Sequence, residues 1–174
     1  MKILVVDDDI LILEILELFL SSIDYENVQF AKSGEEALQL IEGASTPFEC
    51  ILLDINMPVQ TGIELIPMIR QYSGYEFVPI IMLTAQHDKK NIAEAFVAGA
   101  WDYVTKPFKF PVLLARIRAQ LRQHEQSEDA VFSIGPYTFR PSVKMLTDEE
   151  GKKIRLTEKE TNILKFLYRA NDQV

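Results

Sequence analysis

The sequence predicts an α/β fold in which a five-stranded parallel sheet carries helices on both faces. Two observations indicate it. Five apolar runs of strand length alternate with segments of helical periodicity, and 48% of the 174 residues are hydrophobic, which suits a well-packed core. Strand–helix alternation of this kind is typical of a doubly wound parallel sheet. The change in character after Gln123 predicts a second, smaller unit.

The strand candidates are short apolar runs, and they cover residues 3–6, 28–31, 51–53, 78–83 and 103–104. The helix candidates follow them in turn, at residues 10–20, 34–42, 62–71, 88–98 and 111–123. Apolar residues repeat with helical spacing in the second group and run almost continuously in the first.

Local signals set the ends of several helices. Ser33 with Glu36 three residues later forms a capping box that opens the second helix, and Gly43 ends it. Pro67 removes one backbone donor from the third helix, which predicts a kink or a late start. Gly99 ends the fourth helix, and Pro111 suits the first turn of the fifth.

Composition excludes several classes of protein. Cys50 is the only cysteine, so neither an intrachain disulfide nor a thiolate metal cluster is expected. No run approaches the length of a membrane span, and the apolar start is too short for a signal peptide, which favours a soluble cytoplasmic protein. The net charge is −8, with 17 acidic and 10 basic residues in 1–124 and 9 and 8 in 125–174. Neither part has the basic excess of a nucleic-acid footprint.

Polar residues stand where the predicted strands end. The first strand runs into Asp7-Asp8-Asp9, the third ends at Asp54, the fourth meets Thr84, and Lys106 follows the fifth. The carboxyl ends of parallel strands lie along one edge of the sheet, which is where such folds bind ligands. We therefore expect an acidic cluster, a hydroxyl and an ammonium on one rim.

This set of side chains suits phosphoryl transfer. Clustered carboxylates repel one another unless a cation joins them, and oxygen ligands favour Mg²⁺, with Mn²⁺ as an alternative. Asp54 could then act as a covalent acceptor, stabilised by Lys106 and Thr84. Each residue also has an ordinary interpretation. Asp8 or Asp9 could cap the first helix, Asp54 could belong to a loop turn, and Thr84 could be a plain strand residue.

The motifs "ILVVDDD", "ILLDINMP", "IIMLTA" and "YVTKPF" resemble those of bacterial two-component response-regulator receiver domains, over residues 1–123. The resemblance implies a flavodoxin-like sheet of order 2-1-3-4-5, phosphorylation by a sensor histidine kinase, and dependence on Mg²⁺. It also implies a role for each matching residue: Asp7, Asp8, Asp54 and the backbone carbonyl of Asn56 as metal ligands, Asp54 as phosphoacceptor, and Thr84 and Lys106 as ligands of the phosphoryl oxygens.

Further implications concern the surroundings of the acceptor. Tyr103 resembles the aromatic residue that turns inward when the hydroxyl of Thr84 moves toward the phosphoryl group. Asn56 and Gln86 resemble positions that tune the lifetime of the phosphorylated form. His87 and His124 are then solvated residues and not phosphodonors, and the Lys106-Pro107 bond is expected to be cis.

The second unit has its own pattern. Residues 124–130 read as a polar linker, and strand-like pieces follow at 132–134, 137–140, 144–147 and 154–156. Thr157 and Glu160 form a capping box before a last helix. Residues 131–174 resemble the start of an OmpR/PhoB-type winged-helix domain, a small antiparallel sheet plus one helix. Its recognition helix and wing would lie beyond Val174, so specific DNA binding is expected only of a full-length form.

The resemblance also implies a homodimer through helix 4, strand 5 and helix 5 on phosphorylation. Asp102 and Arg116 stand where one of its crossed charge pairs belongs. Ile92 and Val112, however, replace an expected base and its acidic partner. We therefore expect an apolar patch to replace part of the network of salt bridges between the two subunits. The alternative is that Ile92 and Val112 are surface residues that contact no partner.

The leading interpretation is a phosphorylation-controlled switch for transcription, and not an enzyme. A stand-alone receiver that signals by protein contact is one alternative. An aspartate-nucleophile phosphatase is another, because Asp7-x-Asp9 after an apolar strand resembles the haloacid-dehalogenase start. Leu11 stands where that motif wants Thr or Val, and the phosphatase leaves Asp54 without a role.

Overall fold

The computed structural model describes residues 2–23, 25, 27–85, 89–126 and 131–171. Gln86 and His87 lie outside the described residues, as does most of the predicted linker. Within the described ranges the chain forms a five-stranded sheet with five helices, followed by a four-stranded sheet and a sixth helix. None of the described helices has the length and apolar character needed to cross a membrane.

The larger sheet is parallel throughout, and its strand order β2-β1-β3-β4-β5 confirms the predicted topology. Its strands are β1 (Lys2–Val6), β2 (Asn27–Ala31), β3 (Cys50–Asp54), β4 (Ile80–Ala85) and β5 (Asp102–Lys106). The helices between and after them are α1 (Ile10–Ser21), α2 (Gly34–Glu42), α3 (Gly62–Ile69), α4 (Lys89–Ala98) and α5 (Phe110–Gln126).

Both faces of this sheet are covered by apolar side chains. One core joins the sheet to α2, α3 and α4, and the other joins it to α1 and α5. All five residues of β3 are buried, which explains why that strand reads as a continuous apolar run and does not alternate. A central strand without solvent on either face is a rigid support for whatever stands at its end.

Helix ends follow the capping signals. The Ser33 side chain accepts a hydrogen bond from the backbone N–H of Glu36 at the start of α2, which is half of the predicted capping box. The Glu36 carboxylate accepts from the Lys32 N–H instead of the Ser33 N–H that a capping box requires.

Helix α3 begins directly after a capping box formed by Thr61 and Glu64. The helix starts at Gly62 and continues through Pro67, so the alternative of a late start is wrong. The hydrogen bonds of the capping box stabilise its first turn, although Pro67 provides no backbone N–H.

The smaller unit is an antiparallel sheet with strands in chain order, followed by a helix. Its elements are β6 (Phe132–Ile134), β7 (Tyr137–Arg140), β8 (Met145–Thr147), β9 (Lys153–Arg155) and α6 (Glu158–Asn171). The predicted capping box opens α6, because Thr157 and Glu160 exchange hydrogen bonds. Phe132 and Phe139 form a small buried core between the sheet and α6. We call this unit, residues 132–171, the C-terminal module.

Candidate functional site

The predicted polar residues meet at the edge where the parallel strands end, which we call the acidic rim. Val6 pairs with Leu53 and Asp54 pairs with Leu83, so the residues that follow β1 and end β3 lie side by side. Lys106 ends β5 and pairs with Ala85, the residue that follows Thr84 at the end of β4. The strand order thus gathers residues that are up to a hundred positions apart in sequence.

An ammonium bridges two buried carboxylates at this rim. Lys106 Nζ lies 2.6 Å from Asp7 Oδ2 and 2.6 Å from Asp54 Oδ1. Asp7 is completely buried and Asp54 nearly so, whereas the Lys106 side chain keeps 23% of its surface exposed. The ion pair offsets the cost of placing two carboxylates together in a poorly solvated site.

The pKa values of the bridged groups reflect this arrangement. Burial raises the pKa of Asp7, and the charge of Asp54 raises it further, although hydrogen bonds from Lys106 and from the Asp9 amide act against both. Burial alone would lower the pKa of Lys106, but hydrogen bonds and charge interactions with Asp54 and Asp7 outweigh it and raise the pKa. Ionised Asp7 is therefore held in the fold at a free-energy cost.

The three consecutive aspartates have different surroundings. Asp9 caps α1, since its side chain accepts a hydrogen bond from the Leu11 N–H at 2.9 Å. The capping alternative thus applies to Asp9 and not to Asp8, which is exposed. Asp7, Asp8 and Asp54 each place a carboxylate oxygen within 4.8 Å of the others. Oxygen donors at this spacing fit a hard divalent cation such as Mg²⁺.

Backbone contacts fix the acceptor candidate itself. The Asn56 N–H donates to Asp54 Oδ2 at 2.9 Å, and the Ile55 N–H donates to the Leu83 carbonyl at 3.0 Å. One oxygen of Asp54 is therefore tied to its own loop and the other to Lys106. Thr84 is buried beside them, and its hydroxyl donates weakly to the Ala85 carbonyl at 3.3 Å.

Tyr103 lies on β5, two residues after Trp101 and next to an exposed part of α4. Its ring is edge-on to Phe96, with centroids 6.2 Å apart, and the Arg116 guanidinium lies 5.7 Å from its centre. Arg116 in turn forms an ion pair with Asp102 of the same chain.

The Lys106-Pro107 peptide bond is cis, as expected. The other histidine, His124, is buried in α5 against the Trp101 ring, and so is not the solvated residue we expected.

Gly62 is a residue of the site that sequence reasoning missed. It begins α3, and a Cβ atom there would overlap the carbonyl oxygen of Asp54 and lie 3.0 Å from Leu53 Cγ. Its N–H donates to the Ile55 carbonyl at 2.9 Å. The glycine lets α3 approach the end of β3 closely, and no local pattern except the glycine itself signals this.

Comparison with known proteins places this geometry in context. A family model described as "Response regulator receiver domain" matches residues 3–118. The chain is 35% identical over 173 residues to the DNA-binding response regulator MtrA of Mycolicibacterium smegmatis, a match that spans 99% of this chain and 73% of MtrA.

Two solved structures extend the comparison. The response regulator DrrB of Thermotoga maritima, an OmpR/PhoB homolog, is similar over 95% of this chain and 71% of its own, with 32% identity and a TM-score of 0.59. The receiver domain of the sensor histidine kinase PA1611 from Pseudomonas aeruginosa, solved with a magnesium ion in its active site cleft, covers 70% of this chain and 97% of its own, with 30% identity and a TM-score of 0.63.

Proposed function

The chain belongs to the response regulator receiver family and is a two-component response regulator that controls transcription, and we propose that phosphorylation of Asp54 is its switch. The observation that carries the proposal is the bridge from Lys106 to Asp7 and Asp54, at 2.6 Å each, on the rim of a buried strand. The arrangement presents one carboxylate as acceptor and keeps a cation beside it.

The phosphoryl group comes from a phosphohistidine of a sensor histidine kinase. An Asp54 carboxylate oxygen forms the new P–O bond while the P–N bond to the donor imidazole breaks, and its electron pair remains on that nitrogen. Little covalent chemistry is required of other side chains in such a transfer, so positioning and charge stabilisation supply most of the catalysis. The short, rigid β3 gives the positioning.

Mg²⁺ fits the donor set of this rim. Asp7, Asp8 and Asp54 would hold it, together with the backbone carbonyl of Asn56, and the PA1611 receiver domain carries magnesium in its active site cleft. When bound, the ion offsets negative charge on the phosphoryl oxygens. The raised pKa of Asp7 agrees with a carboxylate placed to meet a cation, because burial without one is costly.

Lys106 and Thr84 act on the other phosphoryl oxygens. The ammonium already lies against Asp54 and needs only a small side-chain movement to contact a group attached there. The Thr84 hydroxyl makes only one weak hydrogen bond at 3.3 Å, so little is lost when it turns toward the phosphoryl group. Tyr103 then moves into the space beside β4, which alters the face formed by α4, β5 and α5.

That face is the proposed dimer interface. Phe96 and Val112 are each more than 40% exposed there, and Ile92 of α4 is half-buried. The pair between Asp102 and Arg116 lies within one chain. In a dimer with crossed charge pairs, Arg116 would have to leave Asp102 of its own chain and pair with Asp102 of the second copy.

We assign the receiver to residues 1–123, the linker to 124–130, and the beginning of a winged-helix output domain to 131–174. The assignment of an output domain is supported by DrrB and MtrA, which align with nearly the whole chain. Contact with DNA belongs to the complete output domain, since residues 125–174 carry no basic excess.

Labelled acetyl phosphate tests the proposal without requiring the cognate kinase. The wild-type chain should take up label with Mg²⁺ and lose most of it when EDTA is present, and Asp54→Ala should take up none. Asp148→Asn, in a turn of the C-terminal module, is the matched control and should label normally. Equal labelling of Asp54→Ala and the wild type would refute the proposal, and label at Asp7 would favour the phosphatase.

A further inference from the structure

The edge of the larger sheet where its strands begin, opposite the acidic rim, contacts the C-terminal module. We call it the amino-terminal rim; it includes Lys2, Glu49 and the loop of residues 73–76. Among the described residues, two side chains of the module make polar contacts with this rim, Tyr168 of α6 and Arg140 of β7. We propose that these contacts form a latch that holds the module in one orientation on the receiver.

The first contact is made by Tyr168 of α6, whose side chain touches both the module and the receiver. The Tyr168 ring packs on Phe132 in the module core, with centroids 4.7 Å apart, while its hydroxyl donates to Glu49 Oε1 at 2.7 Å. The other oxygen of Glu49 accepts from the Lys2 backbone N–H at 2.8 Å. Both partners are thus held in place by their own units before they meet, which reduces the ordering cost of the contact.

The second contact is made by Arg140 at the end of β7. Its Nη2 donates to Ser73 Oγ at 2.8 Å and lies 3.9 Å from Glu76 Oε1. Glu76 is itself positioned by the Gly74 N–H, 2.7 Å from its Oε2. The positive side chain of Arg140 therefore contacts the receiver, whose net charge is negative because residues 1–124 carry 17 acids and 10 bases.

The loop that receives Arg140 needs a glycine. Gly74 has a φ of +93°, and a Cβ atom there would lie 2.7 Å from Pro47 Cγ and 3.7 Å from Arg140 Nη2. The glycine thus permits both the left-handed backbone conformation of the loop and its close approach to Pro47, and Arg140 packs against it at ordinary contact distance. Tyr168 of α6 and Arg140 of β7 reach two separate segments of the receiver, Glu49 and the loop of residues 73–76. Two such contacts fix the orientation of the module, whereas a single contact would let it rotate about that point.

The latch leaves other surfaces uncovered. Ile163, Phe166 and Leu167 of α6 remain more than half exposed, so the rim is not the partner of that apolar face. Phe96 and Val112 of the α4–β5–α5 face are also exposed. Glu49 lies five residues before Asp54, about 16 Å along an extended strand. Docking of the module is therefore compatible with pairing of two receivers and does not use the phosphoryl site.

Rotational correlation times from ¹⁵N relaxation test the latch in the full chain. Modules joined by a segment tumble separately unless an interface holds them. In the wild type, the amides of β7 and β8 should give the same correlation time as those of β1 and β3. In the double variant Tyr168→Phe with Arg140→Met, which keeps the ring and the aliphatic stem, the time for β7 and β8 should fall by roughly a factor of two relative to β1 and β3, as the module becomes a smaller independent unit.

The matched control is Tyr137→Phe with Arg155→Ala, two residues of the same module for which the described structure gives no contact with the rim. It should keep equal correlation times, and preserved amide dispersion in β6–β9 would show that each variant is folded. Unequal times in the wild type, or equal times in the anchor variant, would overturn the latch.

Discussion

The first residue of α3, Gly62, lies so close to Asp54 that any side chain there would overlap the Asp54 carbonyl oxygen. The helix and the end of β3 are therefore packed through backbone. Because Asp54 ends a fully buried strand, it has no room to move aside. The position of the proposed acceptor thus depends on Gly62, which has no side chain to take part in the chemistry.

Gly62→Ala should lower the free energy of unfolding by about 2–3 kcal/mol, the usual cost of overpacking a tight site. It should also slow labelling of Asp54 by acetyl phosphate, because the carboxylate is displaced. Urea denaturation and labelling rates measure the two effects. Gly43→Ala is the control: Gly43 caps α2 with an ordinary φ of −80°. Its stability should change by less than about 1 kcal/mol, and equal losses at both positions would contradict the explanation.

Asp7→Asn should stabilise the protein at neutral pH while impairing its function. The raised pKa means that the folded chain binds this proton more tightly than the unfolded chain does, so stability is lost as pH rises and Asp7 ionises. The variant should gain about 1 kcal/mol at pH 7 without Mg²⁺, and the gain should vanish in acid. Mg²⁺ affinity should fall by about 100-fold or more.

Urea titrations at several pH values measure this effect, with Glu17→Gln, an exposed change of charge on α1, as the control. A gain that does not depend on pH, or an equal gain in the control, would show that burial of the Asp7 charge is not the cause.

The acidic rim could be predicted from sequence because each polar residue directly follows an apolar run, and strand order then brings the ends together. The capping box of Thr61 and Glu64 is likewise a local pattern, because its two residues have the spacing that such a box requires. The double contact of Lys106 with Asp7 and Asp54 could not be read, since it depends on the length and path of one side chain. The contact between Tyr168 and Glu49 joins residues 119 positions apart and has no local pattern.

Val59 is a strained residue in the loop after β3. It has a φ of +70° and is fully exposed, so a β-branched side chain occupies the left-handed region without any packing in return. Val59→Gly should raise the free energy of unfolding by about 0.5–1 kcal/mol, the relief of strain less the added entropy of the unfolded chain. Val97→Gly, at an exposed position of α4, should instead lower it by about 0.5 kcal/mol. Denaturation of both variants checks this, and a loss of stability in Val59→Gly would contradict the strain.

Dimerisation of the phosphorylated form should depend weakly on salt. In the proposed dimer, Ile92 and Val112 would place apolar surface where the family resemblance implies a charge pair, and apolar contacts are not screened by ions. Sedimentation of the beryllofluoride-treated chain at low and high salt measures this, and a steep loss of dimer with salt would refute it. As the matched variant, Ile92→Arg with Val112→Glu should restore a charge pair and make the dimer more sensitive to salt.

Phosphorylation would convert the Asp54 carboxylate to an acyl phosphate. Borohydride reduces an acyl phosphate to an alcohol, which would convert a phosphorylated Asp54 to homoserine. After treatment with acetyl phosphate and Mg²⁺, peptide mass spectrometry should find homoserine at position 54 and an unchanged residue at positions 7, 8 and 9. Homoserine at position 7, or at none of these positions in a chain that has taken up label, would contradict the account.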